Sequence, residues 1–392
     1  MHYLTLCCIA KDENDRIGEW AAYHALRGAE RIVVYDNGSR VPLRETLAPL
    51  ADRIDIVVHD MPGPAKQLAA YAHCLNTHGP DTNWLGFIDA DEFLLPRRED
   101  DLREMLTDFE EVAGLGVNWV MFGSAGHETP PPGLQIEAFT KRAPYTHATN
   151  HHIKSLVRPA YVTAPLSPHH FAYAPGRHCV NEEGFPLPGP YSPHHNARIQ
   201  LNHYFYRSRQ EYAAKIERGR GDMTTDQFRH SMVHFDRQLT YCTVEDTEIA
   251  RHTPAVRAVL EGGPVRPAEQ GDFAGESEKI ALLLARGKFE LAEALSRRLV
   301  VAHNAESAAW SLRGMALARS GRHDEARSAL AASLRREQTV ENLFALVRVL
   351  VLAGDRDEAA RTARYLWWRL HGVDAELQGE CAAILAEIKP LL

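Results

Sequence analysis

Short apolar runs and segments of helical periodicity alternate through the first 122 residues of this chain. The apolar runs cover residues 3–9, 31–35, 54–58, 84–88 and 117–122, and the helical segments cover 16–27, 43–50, 64–78 and 100–109. This alternation predicts an α/β fold whose mainly parallel sheet is covered by helices on both faces. Ligands of such sheets bind beyond the carboxyl ends of the strands, so the residues that follow each strand are candidates for a functional site.

Residues 124–200 differ in character from the region before them. Proline, glycine, histidine and aromatic residues dominate there, and no helical period persists. Loops of this length in a compact domain usually act as lids or binding walls, so we expect this region to contact a ligand. We place it inside a first domain that covers residues 1–235.

The C-terminal part of the chain carries an internal repeat. Gly287, Gly321 and Gly354 recur at a period of about 34 residues, and an alanine follows five positions after each of them. This pattern is typical of tetratricopeptide-type helical hairpins, which more often bind a protein partner or self-associate than perform chemistry. We therefore predict an all-α domain of helical repeats over residues 273–392, joined to the first domain by a connector over 236–272.

The composition and net charge reduce the number of functions that this chain could have. The net charge of -8 argues against a nucleic-acid-binding protein, whose domain would usually be basic. The six cysteines form no CxxC pair, which disfavours a cysteine-ligated zinc site and fits reduced thiols in the cytoplasm. The first residues lack the basic segment of a signal peptide, and no uncharged apolar stretch approaches the ~18 residues of a membrane span. We therefore expect a cytoplasmic protein without a membrane span.

Acidic residues follow three of the expected strands. They lie within 11–14, 36–39 and 89–92, and the last of these segments contains Asp89-Ala90-Asp91. Acidic groups that converge on one sheet edge would repel one another without a cation. Carboxylate oxygens suit Mg²⁺ or Mn²⁺, which proteins often share with substrate phosphates. The sequence therefore predicts a divalent-metal site at Asp89 and Asp91 that faces a phosphate-bearing substrate.

Several strings in this region resemble family 92 glycosyltransferases and related bacterial family-2-like enzymes. They are Lys11-x-Glu13, Tyr35-Asp36-Asn37-x-Ser39, Gln67-x-x-x-Tyr71, Phe87-Ile88-Asp89-x-Asp91-Glu92-Phe93, Lys154-Ser155 and Asn202-His203-Tyr204. The resemblance covers roughly residues 3–221 and leaves out the helical repeats. The chain departs from it at Asp12, where the family more often has asparagine.

The resemblance implies a GT-A fold, a nucleotide-diphosphate sugar donor such as a UDP-sugar, and acceptor binding by residues 124–200. It also implies transfer, with inversion, of the sugar to a glycan or another hydroxyl acceptor. Asp89, Asp91 and the late histidine His203 would hold a Mn²⁺ or Mg²⁺ cofactor. The residues that it implies in donor binding are Lys11, Glu13, Asp36, Asn37, Gln67 and Asp89, with Asp36 on the uridine or ribose.

Basic residues concentrate after the Asn-His-Tyr string. Lys215 and Arg218 belong to the most basic stretch of the first domain, which also includes Arg207, Arg209 and Arg220. Cationic side chains of this kind would stabilise a leaving nucleotide diphosphate, and Lys154 could contribute similarly. We therefore add Lys154, Lys215 and Arg218 to the expected donor-binding residues.

The catalytic base stays open at this point. An inverting transfer needs a base within hydrogen-bond reach of the acceptor hydroxyl, and sequence spacing does not identify that base. The candidates are Glu182, Glu183, His127, Asp222, His169 and His170.

Two other functions are compatible with parts of the pattern. A nucleotidyltransferase also combines a parallel sheet with acidic metal ligands. Its first strand would be followed by a glycine-rich basic loop, whereas the segment after residue 9 is acidic and begins without glycine. A non-catalytic scaffold could use the repeats as its working part, but it would not be expected to keep Asp36, Asp89, Asp91 and His203.

Overall fold

The computed structural model describes residues 2–218, 231–265 and 272–370, and the chain divides into two compact units. The first unit comprises Met1–Met105 and Val112–Pro267, and the second comprises Leu106–Glu111 and Ala268–Leu392. The division predicted from the sequence, into 1–235, 236–272 and 273–392, stays a prediction. No helix within the described ranges has the length and apolar character needed to cross a membrane.

The strands of the first unit are β1 His2–Ala10, β2 Arg31–Asp36, β3 Asp55–Asp60, β4 Thr82–Phe87, β5 Glu92–Pro96, β6 Gly114–Met121, β7 Lys141–Arg142, β8 Ile153–Val157, β9 Val162–Pro165, β10 Phe171–Tyr173, β11 Cys179–Val180, β12 Pro186–Leu187, β13 Ile199–His203 and β14 Val244–Glu245. The helices that precede residue 265 are α1 Asn14–Leu26, α2 Leu43–Leu47, α3 Gln67–His78, α4 Leu102–Leu106, α5 Gln135–Ala138, α6 Arg209–Arg218, α7 Met232–Leu239 and α8 Thr253–Leu260.

The main sheet has the strand order β12-β11-β6-β8-β4-β1-β2-β3, and β13 pairs with both β5 and β6. Strands β4, β1, β2 and β3 run parallel to one another, whereas β8 lies antiparallel between β4 and β6. β1 is buried along most of its length, as the central strand of a parallel sheet is when both faces are covered. The predicted α/β class with a mainly parallel sheet is confirmed.

Most of the expected elements of the first 122 residues are present, with shifted ends. α1 ends just before Gly28, whose φ of 107° is one that glycine adopts without strain. α3 begins at Gln67 rather than at Pro64, because Ala65 has a φ of 50° that a right-handed helix does not contain. The sequence pattern therefore located the helices, and the backbone conformation of single residues set their ends.

The region 124–200 contains more regular structure than the sequence predicted. β8 occupies the middle of the main sheet, so the expectation of an irregular loop region is wrong there. Lys154 lies at the second position of β8 and is buried, which is unusual for a central strand. A charged residue at such a position interrupts the apolar run by which a buried strand is recognised in a sequence.

The second unit is helical. Its helices are α9 Phe273–Ala285, α10 Phe289–Ala302, α11 Ser307–Arg319, α12 His323–Arg336, α13 Val340–Leu352 and α14 Arg356–Leu370. The repeated glycines follow α9, α11 and α13 with φ between 69° and 79°, so each one ends the first helix of a pair. The helical region after the sheet is thereby confirmed, while its assignment to the tetratricopeptide type stays a prediction.

A buried ion cluster ties the segment Leu106–Glu111 into the second unit. Arg313 is completely buried, pairs with Asp108 and donates to Glu293 Oε1 at 3.1 Å. Arg322 Nη2 lies 3.2 Å from Asp108 Oδ2. Because guanidinium and carboxylate groups are both removed from water here, each depends on its partners.

Candidate active site

The carboxyl ends of three neighbouring parallel strands open onto a cavity of about 350 Å³. Ala10 of β1 lies opposite Asp36 of β2, and Cys7 lies opposite Phe87 of β4, so the segments after these strands lie side by side. The residues from these segments that line the cavity are Lys11, Glu13, Asn37, Asp89, Ala90 and Asp91. The volume falls within the range of small-molecule sites.

Asp89, Asp91 and His203 form a compact group at the wall of this cavity. One possible ligand atom from each residue lies within 4.8 Å of the others. Asp89 and Asp91 occupy the turn between β4 and β5, and the antiparallel register of β5 with β13 sets Glu92 opposite His203. This register brings the imidazole to the turn, with Nε2 3.4 Å from Asp91 Oδ1.

These three side chains fit a divalent cation. Two carboxylates and one imidazole suit Mn²⁺ and can also hold Mg²⁺. Burial lowers the pKa of His203, so its imidazole is neutral near pH 7, which is the form that binds metals. Burial opposes the ionisation of Asp91, but the ammonium group of Lys215 outweighs it, and the pKa of Asp91 lies well below its usual value. Both groups are therefore in the protonation state that metal binding requires.

Two lysines lie against the two aspartates. Lys154 Nζ is 2.9 Å from Asp89 Oδ1, and Lys215 Nζ is 2.5 Å from Asp91 Oδ2. Lys215 and Arg218, both on α6, line the cavity, whereas Lys154 does not and is 1% exposed. Two of the three expected phosphate-binding cations therefore face the cavity, and Lys154 supports Asp89 from inside the sheet.

Glu92 has a structural role that the sequence analysis missed. It is completely buried, its Oε2 accepts the backbone N–H of Asp89 at 2.7 Å, and it lies 3.5 Å from Lys154 Nζ. Burial raises the pKa of Glu92 to about 8. The signal that could have revealed this role is the Asp-x-x-Glu spacing, since acidic side chains commonly bond to backbone a few residues away. Glu92 thus closes the turn that presents Asp89 and Asp91.

Glu13 pairs with two arginines at the edge of the cavity. Its Oε2 accepts from Arg207 Nη1 at 2.7 Å, and its Oε1 pairs with Arg218. Arg218 also donates to the carbonyl of Lys11 at 2.8 Å. These contacts hold the helix that carries Lys215 and Arg218 against the segment after β1, so Glu13 positions cations as well as lining the cavity.

The residues expected to bind the donor after β2 and at the start of α3 differ in placement. Asn37 and Gln67 line the cavity. Asp36 is 4% exposed and is not among the lining residues. Its two carboxylate oxygens accept the N–H groups of Ser39 at 2.8 Å and of Leu43 at 2.9 Å. In this structure Asp36 shapes the loop that presents Asn37.

Glu182, a predicted base, is held by backbone groups away from the cavity. Its carboxylate accepts the N–H groups of three consecutive residues, 197–199, at 2.6, 3.0 and 3.1 Å. It is 9% exposed and does not line the cavity. A carboxylate engaged in this way stabilises a loop, and it is not placed to accept a proton from a substrate in the cavity.

Three other base candidates do not contribute to the cavity wall or fall outside the described residues. Glu183 is largely exposed and lies 3.3 Å from His195 Nδ1, and His127 Nε2 bonds the Ala138 carbonyl at 3.3 Å. Neither residue lines the cavity. Asp222 and Arg220 lie outside the described residues.

His169 is the predicted base candidate that does line the cavity, whereas the adjacent His170 does not. Its Nδ1 lies 2.9 Å from the Ile153 carbonyl. Because a carbonyl only accepts, Nδ1 carries the proton and Nε2 is left as an acceptor. Burial lowers the pKa of His169 to about 3, so the ring is neutral near pH 7.

The sequence matches the model of glycosyltransferase family 92 over residues 2–225. It is 28% identical over 227 residues to a glycosyltransferase family 92 protein of Ricinus communis, which covers 55% of this chain and 38% of that protein. A family 92 protein of Oryza sativa subsp. japonica is 29% identical over 188 residues, which covers 46% of this chain and 31% of that protein. The chain thus spans less than two fifths of the length of these curated relatives.

A solved structure, that of S. aureus TarS residues 1–349, aligns with 86% of this chain and 92% of its own, at 13% identity. The TM-score of 0.31 is too low to establish a shared fold. The family model, in contrast, covers more than half of the chain and includes every strand and helix that forms the cavity up to α6. This chain belongs to glycosyltransferase family 92.

Proposed function

We propose that this chain transfers a sugar from a nucleotide-diphosphate donor, most readily a UDP-sugar, to a hydroxyl acceptor with the help of Mn²⁺ or Mg²⁺. The observation that carries the proposal is the group Asp89, Asp91 and His203, whose ligand atoms lie within 4.8 Å at the wall of a cavity formed by strand ends. A bound cation would neutralise the donor diphosphate and stabilise it as the leaving group.

The cationic residues of the same wall bind the diphosphate in this proposal. The cavity is also lined by Lys11, Lys215 and Arg218. Three positive side chains therefore face the space next to Asp89, Asp91 and His203, which we call the metal group. Charge-assisted hydrogen bonds to phosphate oxygens are about twice as strong as neutral ones, and they act where negative charge develops on the leaving group. Lys215 then exchanges its contact with Asp91 for a contact with phosphate.

Asn37 and Gln67 orient the remainder of the donor. The Asn37 amide donates to the Met61 and Gly63 carbonyls, at 2.8 Å each, which fixes the loop after β2. Gln67 Nε2 donates to Asp89 Oδ1 at 2.9 Å and so links the start of α3 to the metal group. We infer that Asp36 acts on the nucleoside through this loop rather than by direct contact.

His169 is the described base candidate that lines the cavity, and we infer that it is the base, although burial lowers its pKa to about 3 and makes it a weak one in this structure. Its Nε2 accepts the proton of the acceptor hydroxyl while the acceptor oxygen bonds to the anomeric carbon. The bond from that carbon to the diphosphate oxygen breaks, and the nucleoside diphosphate leaves with the electron pair. A base on the face opposite the leaving group gives inversion. Asp222 stays an alternative.

The test is the metal dependence of nucleotide binding, measured by calorimetry with UDP and Mn²⁺ or with UDP and a chelator. The intact chain should bind UDP at least tenfold more tightly with Mn²⁺. Asp91→Asn should lose this difference, and the matched control Asp52→Asn, at an exposed residue outside the cavity, should keep it. Equal UDP affinity with metal and with chelator would refute the metal assignment, and a hydrolysis screen of nucleotide sugars identifies the donor.

A further inference from the structure

A second, more open cavity of about 780 Å³ lies beside the candidate donor site. Its walls come from the segments around Tyr145, His151 and Tyr191–Asn196. Aromatic, hydroxyl, amide and imidazole groups make up the lining, and none of its eight described residues is Lys, Arg, Asp or Glu. Such a lining suits an uncharged polar ligand, because a charged one would have no counter-charge there.

A row of ring contacts connects the two cavities. The rings of His203 and Trp119 lie 4.5 Å apart, and those of Trp119 and His152 lie 4.9 Å apart and are stacked. Tyr191 contacts His152 at 4.6 Å. Trp119 and His152 line the first cavity, and Tyr191 lines the second. A ligand that extends along these rings leads from the second cavity to the metal group.

The aromatic faces of the second cavity are held in place. Tyr191 is 57% exposed, and its backbone pairs with that of His152 in an isolated bridge. Tyr145 stacks on His194 with ring centroids 4.8 Å apart, and the guanidinium of Arg142 lies 3.8 Å from the centroid of the Tyr145 ring, so Tyr145 supports the wall and does not offer a free face. An exposed aromatic ring on a fixed backbone loses little conformational entropy when a ligand covers it.

We propose that the second cavity binds the acceptor, and that the acceptor is an uncharged saccharide chain, one sugar ring of which stacks on the exposed ring of Tyr191. The proposal rests on the proposed glycosyltransferase function. Sugar rings have apolar C–H faces that pack on aromatic rings and hydroxyls that bond to polar groups, which the groove offers in Thr146 and Asn196. In this arrangement the end of the saccharide passes His152 and places one of its hydroxyl groups near His169.

The test probes binding to an array of neutral oligosaccharides and of uronate- and sialate-bearing ones, in the presence of UDP and Mn²⁺. The intact chain should bind neutral oligosaccharides and bind longer ones better than monosaccharides. Tyr191→Ala should weaken this binding by about tenfold, the loss of one stacking contact. Phe185→Ala, at an aromatic residue that is 62% exposed and outside the groove, is the matched control and should bind like the intact chain.

Affinity for UDP with Mn²⁺ separates the two proposals. If Tyr191→Ala keeps that affinity and loses the oligosaccharides, and Tyr191→Phe recovers them, the groove binds the acceptor. If Tyr191→Ala also loses UDP, the ring supports the donor site and the acceptor groove is refuted. Unchanged oligosaccharide binding in Tyr191→Ala, or binding by the intact chain of charged glycans only or of none, also overturns it. Failure of the intact chain to bind UDP with Mn²⁺ counts against the proposed function instead.

Discussion

Hydrogen bonds from side chains of α1 hold β5, the strand that follows the turn with Asp89 and Asp91, and His24 is the titratable side chain among them. Trp20 Nε1 donates to the Glu92 carbonyl at 2.9 Å, and the Tyr23 hydroxyl donates to the Leu94 carbonyl at 2.9 Å. His24 is completely buried, with Nδ1 2.9 Å from the Trp20 carbonyl and Nε2 3.2 Å from the Leu94 nitrogen. Nδ1 therefore donates and Nε2 accepts, and protonation of Nε2 would break the bond to Leu94.

The pH dependence follows from the difference in the pKa of His24 between the folded and unfolded chain. Burial lowers the pKa of His24 from 6.5 to about 3 in the folded state. Between these values the unfolded chain binds a proton that the folded chain does not, so the free energy of unfolding falls as pH falls. The loss is about 2 kcal/mol at pH 5 and about 4 kcal/mol at pH 3, at about 1.4 kcal/mol per pH unit until the folded chain begins to bind the proton as well.

His24→Leu isolates this contribution. The variant leaves the Leu94 N–H buried without its acceptor, so we expect it to be about 1–3 kcal/mol less stable at pH 7. It has no group to titrate at this position, so its stability should fall less steeply on acidification and approach that of the intact chain near pH 5. The assay is urea unfolding at pH 7, 6 and 5, together with hydrogen exchange of peptides that contain 92–96.

The control and the refuting result are both defined. His178→Leu replaces an exposed histidine and should leave the pH profile of unfolding unchanged. If His24→Leu and the intact chain lose stability in parallel between pH 7 and pH 5, folding does not lower the pKa of His24 and the hydrogen-bond assignment is wrong. Faster exchange of 92–96 in the variant at pH 7 would support the role of His24 in holding β5.

Three further substitutions have defined outcomes. Glu182→Ala should cost about 1–3 kcal/mol in urea unfolding, because three backbone N–H groups lose their acceptor; its donor turnover per folded molecule should persist, and a large fall in turnover at unchanged stability would restore Glu182 as the base. Arg313→Met should destabilise the helical unit by about 1–3 kcal/mol, since Asp108 and Glu293 lose their completely buried partner and keep only Arg297 and Arg322; an unchanged unfolding midpoint would contradict this. Gly314→Val should cost about 1–3 kcal/mol, because even a Cβ there would lie 2.5 Å from Leu330 Cγ; equal stability in thermal unfolding would show that α11 and α12 separate freely.

The parallel half of the sheet could be predicted from sequence because its strands obey a local rule. β1, β2 and β4 are apolar runs bounded by helices, and their ends carry the residues that line the cavity. The placement of Asp89 and Asp91 at the cavity was predictable for the same reason, since a turn that follows such a strand lies at the ligand-binding edge of the sheet. His203 depended instead on the family resemblance, because its register against β5 is a long-range pairing.

β8 escaped prediction because its buried charge is satisfied by residues on other elements. Lys154 would be costly in a central strand by itself, and it is tolerated because Asp89 and Glu92 lie 2.9 and 3.5 Å away on other elements.

The base candidates failed for a related reason. A glutamate that accepts backbone N–H groups, such as Glu182, has the same local sequence as one that accepts a substrate proton. The two differ only in which atoms surround the carboxylate. His169 and His170 differ in the same way, because His169 lines the cavity whereas His170 Nδ1 lies 2.9 Å from Ser167 Oγ. The assignment of proton-transfer residues in such a loop-rich region therefore requires the tertiary structure.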